Sequence, residues 1–515
     1  MFGSVRKRNQ LTSIVLGLLP INSPSSLLSS EAFFYFAQRP HKSRTSAWRN
    51  ILRHCSGYQI HRTECFLTER SVSDTEIYSD LALRIRESYE RKETDGILEL
   101  AVSSSMMIDL GLDIENTLIP AILNASEGNK GVTASIMNAL IGSTCILSKS
   151  INAERLNNYT HFDEQNLRLI SERVLLLMEA LRETGGIQPD IVTYSLIYRA
   201  LSMNPEFSGL ANSFLEEAEK KSKKTAGGKR RKLLASARRR KISTYFEAED
   251  SLRGILGEDF KILLETDDFA VINKPSGVPC FHKKRTTAGK MKRGKGKNGK
   301  GGSKRRINSS DSVDISLEDA LITCNVDLST LNPESFGLVH RLDRGSSGCL
   351  VLAKSNKIHA RLIAEFFLRN TTKKYVALVQ ESSISSLPVE RCGLIENPVY
   401  GRPARSMFTI LERYESFFES EYEGEAALVE FEIYTGRKHQ IRVHAAEVLG
   451  SPVRWDPLYS NANDNGDSKR ISSDSSGRIF LHARNLVIPD LGINVESALP
   501  TWWQSTLSRL KRKET

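Results

Sequence analysis

From about Asp74 to Ser222 the apolar residues recur every three or four positions, the spacing that lines one face of a helix. LALRIRESYERKETDGILELAVSSSMMIDLGL shows it, and ISERVLLLMEALRETGG repeats it and stops on glycine. From Phe260 the texture changes. KILLETDDFAVINKPSGVPCFH breaks short β-branched and apolar runs with turn residues, which predicts two strands and a turn. Strand and helix signals then alternate to near Pro500. The pattern predicts an all-α region followed by an α+β domain of about 240 residues built around a mixed sheet.

Within the helical stretch, GIQPDIVTYSLIYRALS (Gly186 to Ser202) leads into FSGLANSFLEEAEKKSKK and is similar to a pentatricopeptide repeat, with a Pro-Asp turn before a V-T-Y helix start. GVTASIMNALIGS (Gly131 to Ser143) offers a degraded second unit. Val132 and Val192 are 60 residues apart, whereas such repeats recur at about 34. The region is therefore read as helical with at least one recognisable repeat, either reading RNA or acting as a packing and spacer domain.

Charge sharpens this organisation. The 515 residues carry a net charge of +11, and two tracts hold much of the excess: Lys220 to Lys241 and Lys283 to Arg306 have 12 Lys or Arg each and no acid. Without them 48 basic residues face 61 acidic ones. Basic surface gathered into two tracts suits arms that neutralise phosphates; solvated linkers are the plainer reading. The expected boundaries are a presequence over 1–70, the helical region over 74–222, a basic linker over 223–258, the α+β domain over 260–500 with a disordered basic insertion over 283–312, and a tail over 501–515.

The first 63 residues contain one acid, Glu31, among many Arg and Ser. This composition reads as a transit peptide. VRKRNQ followed by LTSIVLGLLP adds the charged and apolar regions of a secretory signal, and the stretch SSEAFFYF follows. Together they suggest either the bipartite leader of a complex plastid or a mitochondrial presequence. No segment has the uninterrupted apolar length of a membrane helix, so no membrane partner is expected. The seven cysteines are scattered with no CxxC pair, which argues against a zinc ribbon or a disulfide scaffold and for a reducing compartment.

The candidate chemistry centres on FGLVHRLDRGSSGCLVLAKS (Phe336 to Ser355). Here His340, Arg341 and Asp343 stand between an apolar approach and a strand, and Gly345 and Gly348 mark tight turns. A carboxylate held there beside Arg and His is a candidate nucleophile or base; on pattern alone a structural ion pair is the more usual reading.

HRLDRGSSG resembles the signature HRLDxxTSG of RluA-type pseudouridine synthases, with Ser346 in place of Thr. Four further segments follow the family order: FAVINKPSGV with Lys274, KKYVALV with Tyr375, YTGRKHQIRVHAAEVLGSPV with Arg437, His439, Gln440 and Arg442, and FLHARNL. The resemblance covers about Lys261 to Pro500, less the insertion. It implies that Asp343 attacks a uridine whose base detaches, turns and rejoins the ribose through carbon. It also implies that Tyr375 stacks on the base and takes the proton from carbon 5, and that Arg442 pairs with Asp343, Arg437 being a second candidate for that pairing. Base flipping of an RNA uridine is implied, in ribosomal or transfer RNA, without metal, organic cofactor or obligate protein partner. His340 and Arg341 are expected to brace the loop, and Lys274, Arg437, His439 and Gln440 to support the site or touch RNA. His439, His444 and Asp456 lack the helical spacing of metal ligands. Trp455, where the family has glycine, predicts a turn of another shape. An RNA-binding or ribosome-assembly factor that keeps the synthase scaffold without its catalysis is the alternative.

Overall fold

The computed structural model describes scattered helical positions between residues 134 and 179, then 189–239, 244–282, 315–381, 391–414, 425–460 and 477–513. The expected presequence, most of the region before 189 and the basic insertion lie outside the described residues.

Two helices follow Pro189: α1 (Ile191–Ser202) and α2 (Ser208–Arg239). The start of α1 is fixed by a capping box. The Asp190 carboxylate accepts the Thr193 amide at 2.8 Å, and the Thr193 hydroxyl accepts the Asp190 amide at 3.2 Å. Asn138 also donates to Asp190, at 3.1 and 3.2 Å, which ties α1 to the helical positions before it.

The residues expected to form a basic linker from 223 onward differ from that reading: α2 runs on to Arg239, and α3 (Tyr245–Leu256) opens on its own Thr244–Glu247 capping box. Lys and Arg are good helix formers, and no proline interrupts the tract. Its apolar residues hold α2 at both ends, Phe214 and Leu215 in the helical core and Leu233 in the core of the sheet domain.

The sheet domain comprises β1 (Lys261–Glu265), β2 (Phe269–Lys274), α4 (Leu317–Thr323), β3 (Ser347–Ala353), α5 (Asn356–Phe367), β4 (Thr372–Glu381), β5 (Cys392–Ile395), β6 (Ser406–Tyr414), β7 (Glu425–Ile433), the single turn α6 (Gln440–Val443), β8 (Leu481–Ile488), β9 (Ile493–Glu496) and α7 (Thr501–Leu507). The strand order is β1-β2-β3-β8-β4-β7-β6-β5, with β9 beside β8. All pairs are antiparallel except β3 with β8. β2 and β3 are buried along their whole length, as their continuous apolar runs require, because both faces are covered. Ala270, Ile272, Leu350 and Leu352 face the side where α3, α4 and α7 pack; Phe269, Val271, Val351 and Ala353 face α5. The expected tail is an element of this core, for Trp503 of α7 is wholly buried.

Gly348 sits at φ 114°, where a Cβ would stand 2.2 Å from the Ala483 carbonyl oxygen, so the approach of β3 to β8 admits only glycine. Gly345 meets a different need: its φ is not positive, but a Cβ there would lie 2.7 Å from the Gly477 oxygen.

The loop between Leu338 and β3 is bolted to the end of β2. Wholly buried Lys274 donates through Nζ to the carbonyls of Pro275 at 2.7 Å, Val278 at 2.8 Å and Arg344 at 3.4 Å. The Gly277 amide donates to Arg344 O at 2.8 Å, Arg344 Nε returns a bond to Gly277 O at 3.0 Å, and the Ser276 hydroxyl donates to Gly345 O.

The helical region is joined to the sheet domain through α5, whose Ala360, Ala364 and Leu368 lie in the same apolar cluster as Leu196, Ile197 and Leu201 of α1. At that seam Arg199, 1% exposed, donates to Glu365, 0% exposed, and to Asp490 at 2.8 Å. Replacing Arg199 by Met leaves the Glu365 charge buried and unpaired. The unfolding free energy should fall by about 3–5 kcal/mol, measured by denaturant titration, whereas the double variant Arg199→Met/Glu365→Leu should recover most of that loss.

Lys274 predicts a pH dependence. Burial pulls its pKa from 10.5 down to about 8, against support from Cys280 and Asp343, with the nearby Arg344 adding least in the lowering sense. Between those two pH values the unfolded chain binds a proton that the native chain does not, so this group's contribution to stability rises with pH. Below about 8 the native state bears the cost of a buried ammonium. The stability of wild type minus that of Lys274→Met should therefore grow from about pH 8 to pH 10.5; a flat difference would contradict the assignment.

Candidate active site

The bolted loop, α6 and the segments around residues 279–281, 457 and 477–479 enclose a cleft of about 430 Å³. Asp343 and Arg442 face it, with Arg341 and His439 at its wall and Cys280, Phe281, Pro457 and Ile479 supplying apolar surface.

Arg442 is held by two carboxylates. Its Nε and Nη2 form a fork on Asp456 at 2.6 and 2.7 Å, and its Nη1 donates to Asp343 Oδ2 at 3.2 Å. Exposure falls inward, from 18% at the Asp343 side chain to 7% at Arg442 and 0% at Asp456. Burial opposes the Arg442 charge, but the hydrogen bonds and charge of Asp456, with those of Asp343, outweigh it and raise its pKa. Asp456 was legible only as a poor metal ligand. Its signal was the acid that follows Trp455 in the family's third motif.

His439 stands on the other flank, with Nε2 3.8 Å from Asp343 Oδ1. Nδ1 is 2.9 Å from the Tyr459 hydroxyl, which is in turn bonded to the Tyr400 hydroxyl. Burial lowers the His439 pKa, the Asp343 charge opposing and Arg442 and Lys438 assisting, so the ring is neutral at pH 7. The Arg442 guanidinium lies over the Tyr459 ring, 5.1 Å from its centre.

The structure separates the two arginines that sequence left open. Arg437 turns away and donates through Nε to Pro403 O at 2.7 Å. Gln440 braces the loop: its buried amide accepts from the Thr435 hydroxyl at 2.7 Å and the Arg437 amide at 3.0 Å, and donates to Arg405 O and Ser406 Oγ. Lys274 is likewise internal. His340 accepts the Val351 amide at 3.1 Å and stacks on Phe366 at 4.7 Å. Desolvation, helped by Lys373, pushes its pKa to about 3 and keeps it a neutral brace. Arg341, expected to brace the loop, is instead exposed at the cleft wall. His444 is occupied by Ser406 Oγ and Asn397 O, away from His439.

Tyr375 is 9% exposed and belongs to the sheet core beneath the loop. Burial, then the Asp343 charge and two cysteines, hold its phenol far above the ordinary value. At neutral pH the group offers a ring and an O–H. Trp455 also departs from expectation. It holds φ at 61°, the left-handed conformation a glycine adopts freely, and its ring stacks on Trp502 at 5.7 Å and meets Phe480 at 4.5 Å.

Residues 268–447 match the family model described as RNA pseudouridylate synthase. That span runs from β2 past α6 and contains Asp343, Tyr375 and Arg442. The chain is 34% identical over 169 residues to the ribosomal large subunit pseudouridine synthase C of Vibrio parahaemolyticus, a match covering 31% of this chain and 50% of that protein. It is 35% identical over 182 residues to an uncharacterized RNA pseudouridine synthase of Zymomonas mobilis, covering 32% of this chain and 73% of that one. A rice protein named RNA pseudouridine synthase 2, chloroplastic, is 37% identical over 135 residues, covering 24% of this chain and 29% of that one. The chain thus spans about half the length of the Vibrio relative and nearly three quarters of the Zymomonas one. On this likeness, carried by the segment that builds the cleft, the chain belongs to the RNA pseudouridine synthase family.

Proposed function

We propose that this chain isomerises uridine to pseudouridine in an organellar ribosomal or transfer RNA, with Asp343 as nucleophile. The observation that carries the reading is the placement of the Asp343 carboxylate: it is partly exposed in a cleft, touched by an arginine whose stronger bonds go elsewhere. The reaction breaks the bond from the ribose to nitrogen 1 and makes one to carbon 5. Carbon 5 loses a proton and nitrogen 1 carries one in the product, so atoms and charge balance with no co-reactant. The nucleotide must leave its stack to enter the cleft, at a cost of a few kcal/mol. Cys280, Phe281 and Ile479 offer apolar surface to the flipped base, Tyr375 lies under the loop, and Arg442 aligns the carboxylate.

Two features support an organelle: the acid-poor, Arg- and Ser-rich leader, and a relative whose name places it in the chloroplast. The repeat-like sequence from Gly186 and the packing of α1 against α5 support a role for the helical region in selecting RNA.

Carbodiimide mapping of pseudouridine in total and organellar RNA tests this reading. Depletion should erase one or more sites, wild type should restore them, and Asp343→Asn should lower turnover by at least about 10³-fold. Arg442→Met should cost about 10²–10³-fold in turnover while RNA affinity stays nearly unchanged. Full rescue by the Asn variant would mean that the chain works as an RNA-binding factor without catalysis.

A further inference from the structure

Three side chains form a continuous hydrogen-bonded row from the cleft to the surface. His439 lines the cleft, with Nε2 3.8 Å from Asp343 Oδ1. That separation is too long for a hydrogen bond, so the imidazole edge facing the carboxylate is not tied to it. On the far edge, Nδ1 lies 2.9 Å from the Tyr459 hydroxyl, which is bonded to the Tyr400 hydroxyl. Tyr400 is 60% exposed, on a turn between β5 and β6 that Val399 and Arg402 close with two backbone bonds, at 2.8 and 3.2 Å. His439 and Tyr400 both hold left-handed backbone, at φ 58° and 53°, so the direction of each side chain is set at a cost.

Every member of the row can both donate and accept, an imidazole and two phenols in series. A brace for His439 would be complete at Tyr459. Tyr400 adds a hydroxyl on an exposed residue and little packing, which gives the row an outlet for protons. Burial, then the bond to Tyr400, hold the Tyr459 phenol above its ordinary value, so a proton crosses it in hops and no phenolate rests there. The Arg442 charge, over the Tyr459 ring at 5.1 Å, eases each departure.

The chemistry in the cleft needs such an outlet. Carbon 5 sheds its proton once it has joined the ribose carbon, beside the carboxylate, and the acceptor must stand within reach of that point. Among the described residues that line the cleft, Asp343 and His439 have lone pairs open to a proton. Arg341, Arg344 and Arg442 have none, and burial pushes the Cys280 thiol up. Tyr375 is 9% exposed, in the sheet core.

Taking Asp343 as the nucleophile, as above, we propose that His439 receives the proton of carbon 5 and that Tyr459 and Tyr400 pass its equivalent to water. The bond from carbon 5 to hydrogen breaks, its electron pair returns to the pyrimidine ring, and a bond from that hydrogen to Nε2 forms. Nδ1 gives its own proton to the Tyr459 oxygen, Tyr459 gives one to Tyr400, and Tyr400 gives one to water. Nitrogen 1 of the turned ring takes a proton from water, so the protons balance. Once product leaves, Nε2 loses its proton to water entering the cleft, and the row runs back to its start.

The test uses the full chain and a transcript carrying the mapped uridine, made with ordinary or with 5-deuterated uridine. His439→Gln should lower turnover about 10²-fold, and Tyr459→Phe and Tyr400→Phe about fivefold, with RNA affinity by anisotropy nearly unchanged. Deuterium should slow all three variants by a larger factor than it slows wild type, because removal of the proton has become the slow step. An orienting role for His439 would lower the rate without that growth. The thermal midpoint of Tyr400→Phe should hold, since the ring stays. If wild type isomerises the RNA while the variants keep its rate, or lose rate with its deuterium factor unchanged, the relay is wrong and the enzyme reading stands. A deuterium factor that grows in Tyr375→Phe and not in His439→Gln gives the proton to that phenol and overturns the relay too. Wild type that isomerises no RNA would remove the enzyme reading, and the relay with it.

Discussion

Arg442 is the hinge of the site because its two carboxylate contacts are unequal. A nearly buried guanidinium needs an anion, and Asp456 supplies it through two short bonds in full burial. Asp343 takes only the remaining Nη1, at 3.2 Å. The charge balance of the interior therefore does not depend on Asp343, which keeps lone pairs free and part of its surface in the cleft. A nucleophile must leave its resting contact to form a bond. The nucleophilic role proposed for Asp343 would let it do so without stranding a buried cation, because the fork on Asp456 remains.

The same logic explains why distant motifs share one structure. Lys274 gives its hydrogen bonds to carbonyls on both sides of the join between β2 and the catalytic loop, so the first motif serves chiefly to hold the second. Gln440 does likewise for the loop before α6, gathering Thr435, Arg437, Arg405 and Ser406 on one amide. Polar residues in a motif look alike in sequence whether they face a ligand or a carbonyl. That is why Lys274 and Gln440 read as possible RNA contacts and are found inside. The apolar runs of β2 and β3, by contrast, were legible, since burial on both faces leaves a continuous signature. The joining of Asp343 to Arg442 was legible only through the family resemblance; spacing alone could not choose between Arg442 and Arg437. The basic tract misled because charge marks solvent exposure, not backbone conformation. A few apolar anchors, Leu233 among them, suffice to carry α2 through it.

The seam at α5 bears on how the two regions work together. One helix contributes Ile358 and Leu362 to the sheet core and Ala360, Ala364 and Leu368 to the helical core. Arg199, Glu365 and Asp490 add a polar lock at the same place. A buried ion pair contributes little net stability against an apolar replacement, but it tolerates only one docking geometry. The helical region thus packs directly against the sheet domain through an apolar cluster and a buried ion pair.

Backbone strain marks part of the cleft wall as well. Among the described residues five non-glycines have positive φ: Asn325, Arg369, Tyr400, His439 and Trp455. One of them, His439, lines the cleft, and Tyr400 reaches it through Tyr459. Each costs about 1–3 kcal/mol relative to a relaxed residue, and glycine would relieve that cost at once. Glycine would also remove the side chain. His439 against Asp343, Tyr400 on Tyr459, Arg369 beside Lys373 and Trp455 on Trp502 are all directions that an extended or helical backbone would not give at those positions. A chain that keeps a large side chain on a left-handed residue trades stability for the direction of that side chain. At Trp455 the direction gained serves the packing beside the sheet core; at His439 it serves the cleft, the pattern expected where geometry serves a ligand rather than the fold.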